Sequence, residues 1–139
     1  MSLTSDDPRL YCKVYVQTDM SLRDLVMLVT EELNGNVDRQ SVLTSGLELY
    51  IDRNEEFDPT MIPVFPDGFL YFRYYLDVFP SSTAFQGMHI ERIGHLLEAL
   101  WARGIPAVAA CDYEDVLPKK GGYKNRTTPW PKSRYLSSC

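Results

Sequence analysis

Twice along this chain the apolar residues change their spacing, from every second residue to every third or fourth and back again. That switching limits the fold more than any other feature. Residues 10-LYCKVYVQT-18 alternate, with Tyr11, Lys13, Tyr15 and Gln17 on one side and Cys12, Val14 and Val16 on the other. A period of two marks a half-buried strand. In 19-DMSLRDLVMLVTEELNG-35 the period lengthens, and Leu22, Leu25, Val26, Val29 and Leu33 share one helical face. Ser21 followed by Asp24 fits a capping pattern at the start of that helix, and Asn34-Gly35 supplies a left-handed stop.

Alternation returns in 41-SVLTSGLELYIDRN-54, which puts Leu43, Ser45, Leu47, Leu49 and Ile51 on one side and Glu48, Tyr50 and Asp52 on the other. The next segment, 55-EEFDPTMIPVFPDG-68, holds three Pro and ends in Asp-Gly, so it predicts a long hairpin loop. The third strand is then 69-FLYFRYYLDVF-79. Leu70, Phe72, Tyr74, Leu76 and Val78 occupy one side, and Phe69, Tyr71, Arg73, Tyr75, Asp77 and Phe79 the other. A second amphipathic helix over roughly 85–103 carries Ile90, Ile93, Leu96, Leu97 and Leu100 as its stripe and stops at Gly104. Finally, 105-IPAVAACDY-113 reads as a short strand whose alanines fit a closely packed neighbour.

The order β-α-β-β-α-β predicts an α+β protein of the ferredoxin-like kind: a four-stranded antiparallel sheet in the order 4-1-3-2, with both helices on one face. The 139 residues suit one such domain, spanning 1–118, followed by a basic tail over 119–139. Residues 1–118 carry a charge balance of −11, whereas 119–139 hold Lys119, Lys120, Lys124, Arg126, Lys132 and Arg134 and no acid. An acidic body repels phosphate backbones and favours basic partners. The start of the chain, MSLTSDDPRLY, has neither the basic nor the apolar region of a signal peptide, so the expectation is a cytoplasmic protein without a membrane segment. Three Cys (Cys12, Cys111, Cys139) are then expected as reduced thiols.

If the helices cover the more apolar side of each strand, the free face carries Tyr11, Lys13, Tyr15 and Gln17, Glu48, Tyr50 and Asp52, and Tyr71, Arg73, Tyr75 and Asp77. Tyr is a good strand former, which alone accounts for some of these residues. Tyr and Arg are also the residues enriched at binding hot spots. We therefore take Tyr15, Tyr50, Tyr71, Arg73 and Tyr75 as candidate partner-binding residues, together with the acidic turn Asp112, Glu114 and Asp115 in 111-CDYEDVLP-118. Another protein, a second copy of the chain or the chain's own tail, with Tyr123, Trp130 and Tyr135, are the candidates to cover this face. RNA is excluded as an expected partner. In 67-DGFLYFRY-74 an acid and Leu70 stand where an RNA-recognition motif needs a basic and a small residue, and the body is acidic.

Chemistry-bearing motifs are weak. His89 and His95 lie six apart on the second helix and do not share a face. His95 is placed to meet Glu91 or Glu98. Cys12 and Cys111 fall at neighbouring strand ends and read as buried thiols, with no CxxC spacing for zinc. The acidic turn lacks the Gly and spacing of a calcium loop. No catalytic residue, cofactor or metal is expected.

The stretch 96-LLEALWARGIPAVAACDYEDVLP-118, about a sixth of the chain, resembles part of a group of small bacterial proteins, some of which resemble immunity proteins encoded beside polymorphic or contact-dependent toxins. This resemblance implies a cytoplasmic protein that binds and blocks a toxin domain, and it assigns no functional residue. An acidic body would suit a basic toxin, since complementary charge speeds encounter. The expected function is thus a non-enzymatic, toxin-neutralising binding protein. The alternatives are a small-molecule-binding regulatory domain, with a pocket between the sheet and 55–68, and a small ferredoxin-like enzyme using His89 or Arg73.

Overall fold

Ser21 begins the first helix by accepting a hydrogen bond on its hydroxyl from the Asp24 backbone N–H at 3.1 Å. Asn34 ends that helix in the left-handed region at φ 51°, with the Gly35 N–H donating back to the Thr30 carbonyl. This helix, α1 (Leu22–Leu33), follows β1 (Cys12–Val16) in a computed structural model that describes residues 10–81 and 87–131. Next come β2 (Asn36–Asp38), β3 (Ser41–Thr44), β4 (Leu47–Arg53), β5 (Tyr74–Pro80), α2 (Met88–Ala102) and β6 (Ala107–Cys111). They form an α+β structure with one antiparallel sheet in the order β2-β3-β4-β5-β1-β6.

Among the described residues the sheet therefore has six strands, not the expected four. One extra strand comes from a turn hidden in 41–54, and the other is Asn36–Asp38. Thr44 pairs with Leu47, so Ser45-Gly46 is a two-residue hairpin loop, with Gly46 at φ +97°. A two-residue loop flips the parity of the alternation. Val42 and Thr44 therefore share the buried side with Leu47, Leu49 and Ile51, and Leu43 turns outward, 53% exposed. The short β2 pairs with β3 and adds the outermost strand.

One core joins the helices to the sheet. Leu25, Val26, Val29 and Leu33 of α1, with Ile93, Leu96, Leu97 and Leu100 of α2, pack on Cys12, Val14, Val16, Leu49, Ile51, Tyr74, Leu76 and Val78. Polar contacts tie the two helices together. The Arg92 guanidinium donates to the Leu33 carbonyl at 2.6 Å, and Glu32 pairs with Arg103 at 2.8 Å. His95 lies 3.1 Å from the Glu32 carbonyl, rather than against Glu91 or Glu98 of its own helix.

The third expected strand is shorter than its aromatic run. Residues 67–71 form a 3-10 turn, and the strand begins only at Tyr74. Buried Asn54 causes this. Its side-chain amide donates to the carbonyls of Leu70 (2.9 Å) and Phe72 (2.8 Å), and its backbone N–H donates to the Arg73 carbonyl at 2.8 Å. The Leu70 and Phe72 carbonyls are thereby held by a side chain in place of a neighbouring strand, and the Arg73 carbonyl by the Asn54 backbone. Gly68 lies against the backbone of Met61 and Ile62 so closely that a Cβ would sit 2.4 Å from the Ile62 carbonyl oxygen. The stretch 55–68 is thus a folded cap and not an open hairpin loop. Leu70, expected beneath the helices, is exposed.

That cap builds a second core on the sheet face opposite the helices. Ile62, Phe69, Phe72 and Val108 form its centre, with Tyr15, Phe57, Tyr71, Tyr123 and Trp130 packed around them. Phe72, also expected beneath the helices, is fully buried here instead. Part of the basic tail joins in. The Trp130 indole N–H donates to the Pro63 carbonyl at 3.0 Å, and the Tyr123 hydroxyl donates to Asp67 at 2.8 Å. Residues 118–122 run against β6. A Cβ on Gly121 or Gly122 would lie 2.9 Å from the carbonyl oxygens of Ala109 and Ala107 respectively, so the alanines of β6 do have a close backbone neighbour. Lys132, Arg134, Tyr135 and Cys139 lie outside the described residues.

Candidate functional site

With the cap covering the β1–β6 end, the far face stays open over β4, β5 and the outer hairpin. Its side chains form three cross-strand rows, because registered partners in an antiparallel sheet share a face. The first row runs Tyr11, Phe79, Glu48, Leu43, Asn36; the Tyr11 and Phe79 ring centres are 5.1 Å apart. The second runs Lys13, Asp77, Tyr50, Ser41, Asp38. The third runs Val108, Tyr15, Tyr75, Asp52. Leu43, Tyr50 and Phe79 are exposed.

Charge on these rows is mostly negative: Asp38, Glu48, Asp52 and Asp77 against Lys13. The Lys13 ammonium sits over the Tyr75 ring at 4.3 Å and near the Tyr15 ring at 5.2 Å, which holds it between the two aromatics. The Tyr11 hydroxyl donates to Asp77. Burial, then Asp77, raises the Tyr11 phenol above its usual range. Tyr75 is raised too, by burial first and then by the charges of Asp77, Asp52 and Glu55. Acidic groups therefore surround Tyr75 from two strands and the following turn.

The structure divides the sequence-selected residues. Tyr50 and Tyr75 lie on the open rows. Tyr15 stands at the border, with its ring edge-on to Phe69 at 5.2 Å. Tyr71 and Arg73 do not join the platform: both precede β5, Tyr71 packing against the second core and the Arg73 guanidinium lying 4.4 Å from the Phe57 ring centre. Asp112 and Asp115 are exposed after β6, and the Glu114 carboxylate accepts from the Cys111 N–H at 3.1 Å, shaping that turn. Leu43 and Phe79 belong to the open face and were not candidates. The Ser45-Gly46 dipeptide is the signal that turns Leu43 outward.

A second feature lies at the end of the sheet where β1 finishes and β5 and β6 begin. A cleft of about 410 Å³ is lined by Gln17, Thr18 and Asp19, by Phe57, Pro59, Ile62 and Pro63 of the cap, and by Arg73, Gly104, Pro106, Trp130 and Pro131. His89 is not part of it. That imidazole is buried at the start of α2, edge-on to the Tyr113 ring at 5.3 Å, with Nε2 making no hydrogen bond. His89 and Arg73 therefore do not form one site.

Burial lowers the His89 pKa below its ordinary value of 6.5. As pH falls through 6.5 and below, the unfolded chain takes up this proton before the folded one does, so the folded state loses stability. Replacing His89 with Phe is expected to flatten the loss of unfolding free energy between about pH 7.5 and 5.5. Urea titrations of both proteins test this, and parallel pH slopes would refute it.

Among the described residues, no three His, Cys, Asp or Glu side chains are placed to hold a metal ion, and no helix is long and apolar enough to cross a membrane. No protein-family model, curated protein or solved structure matches the chain.

Proposed function

We propose that this chain is a non-enzymatic protein-binding module that receives a basic partner on the open half of its sheet, and that the partner is a toxin domain it neutralises in the cytoplasm. One observation carries most weight. On three adjacent rows, exposed Leu43, Tyr50 and Phe79 stand among Asp38, Glu48, Asp52 and Asp77, with Lys13 the one opposing charge. Apolar and aromatic groups supply contact area, and the carboxylates steer a basic surface onto it. The likeness of 96–118 to immunity-type proteins supports the narrower choice of a toxin. We also read β6-β1-β5-β4 with the two helices as a ferredoxin-like unit, to which the β2–β3 strands add width and more acidic surface.

The test is affinity capture from the native host with the wild-type chain and with Tyr50→Ala plus Tyr75→Ala, followed by identification of what is bound. The expected result is a partner with a strongly basic domain, released by about 0.5 M salt and weakened at least about tenfold by the folded double variant. Recovery of the same partners by the variant, or of partners held independently of salt, would exclude the open face.

A further inference from the structure

The cleft beside Arg73 combines features that the open sheet face does not have, and it stands independently of that face. Part of its lining is apolar: Phe57, Pro59 and Pro63 from the cap, Pro106 before β6, and Trp130. Among the described residues, Arg73 is the cation in its lining. The Arg73 backbone is fixed on both sides, because its N–H donates to the Gln17 side-chain oxygen at 2.8 Å and its carbonyl accepts from the Asn54 N–H at 2.8 Å. The guanidinium carbon then lies 4.4 Å from the Phe57 ring centre, which holds the group against that wall. Within this fixed geometry the Arg73 Nε is buried and has no hydrogen-bond partner.

That atom is closed to a ligand as it is to solvent, so the part of the guanidinium offered to the cleft is its pair of terminal Nη groups. A planar guanidinium held in place is a fork that fits a carboxylate with two parallel hydrogen bonds. From these observations we propose that the cleft binds a small organic carboxylate with an apolar, ring-sized body, the carboxylate on Arg73 and the body against Phe57 and Trp130. The volume of about 410 Å³ falls toward the lower end of small-ligand sites, which span roughly 300–1,000 Å³. Asp19 lines the same cleft. Gln17 and Thr18 bring further polar groups to the same wall.

The probes are phenylacetate and indole-3-acetate, with phenylacetamide as the neutral isostere and phenyl phosphate as the more highly charged one. The readout is the Arg73 Nε–Hε signal in a nitrogen–proton NMR titration of the intact wild-type protein, with Trp130 indole shifts as the second reporter. The expected result is saturable movement of both signals by a carboxylate, and at least about tenfold weaker binding of the amide. Arg73→Lys keeps the charge and removes the fork, so a loss of at least about tenfold is expected there too. Phe57→Leu provides a second variant that leaves Arg73 in place and is expected to weaken binding by loosening the guanidinium. No movement up to about 10 mM probe, a range that includes even fragment-grade affinity, would overturn the proposal. Equal binding of the amide would overturn the role of Arg73, and tighter binding of phenyl phosphate would overturn the choice of a carboxylate.

Discussion

Treatment with diamide is expected to join Cys12 to Cys111 and to raise the stability of the protein markedly. The two residues are direct partners across β1 and β6. Along this pair of strands, Gln17 donates to the Pro106 carbonyl, which identifies their registered pair as a hydrogen-bonded one. The two kinds of pair alternate, so Cys12 and Cys111 form a non-hydrogen-bonded pair, with side chains close and an ideal Cα separation of about 4.5 Å. That lies inside the range of about 4.4–6.8 Å open to a disulfide. Cys12 is fully buried, whereas Cys111 is partly exposed. A hydrogen bond from the Cys12 thiol lowers the Cys111 thiol, and the same bond raises Cys12. Cys111 is therefore the nucleophile. Its sulfur adds to the diazene of diamide, and Cys12 displaces the hydrazine, so the two thiols are oxidised as the reagent is reduced. The bond closes a loop of nearly one hundred residues, for which chain entropy predicts roughly 4–5 kcal/mol at most. Free-thiol counts, intact mass and urea midpoints before and after dithiothreitol measure the effect, with Cys12→Ser as the control. A product linked only through Cys139, or an oxidised protein with an unchanged midpoint, would refute it.

Local signals made much of the scaffold legible. The stripes of both helices, the Ser21 and Asn34 caps and the parity of β1 all follow from spacing, because each element buries one face in the common core. Leu47, Leu49, Ile51, Tyr74, Leu76 and Val78 were readable for the same reason. The failures share a cause. In 41–54 the alternation looks continuous across Ser45-Gly46, and the pairing of Thr44 with Leu47 shows that this dipeptide is a hairpin turn, with Gly46 at positive φ. In 69–73 strong strand formers are overridden by one distant side chain, Asn54, which binds two of their carbonyls. Periodicity carries no information about such a long-range bond. Tyr71 and Arg73 were misplaced on the sheet face for that reason, while Tyr50 and Tyr75, beyond the reach of Asn54, were placed on the correct side. The acidic character of the open face was visible in composition, but its limits were not, since they depend on where the cap and the tail settle.

Truncating Phe72 to Ala is expected to cost about 3–5 kcal/mol, as for other fully buried aromatic side chains. Its ring is completely buried and meets the Trp130 ring at 5.6 Å. The distribution of that loss distinguishes the two cores. The core under the helices holds more than twenty buried side chains, whereas Ile62, Phe69 and Val108 are the other buried members around Phe72. A small cluster that loses one of its two Phe rings opens locally before the rest of the molecule unfolds. The variant should therefore release the cap at low urea, read as a red shift of Trp130 emission, while the helical circular dichroism persists to higher urea. A Trp101→Phe background isolates Trp130, and limited proteolysis should cut first within 55–66. One coincident transition by both probes would show that the two cores unfold as a unit. Separate transitions would make the cap a removable cover: its release bares Tyr15 and Val108, which continue the third row of the open face, and removes Phe57 and Trp130 from the Arg73 cleft. The same substitution is then expected to enlarge the surface offered to a protein partner and to abolish carboxylate binding, so the two sites respond to it in opposite directions.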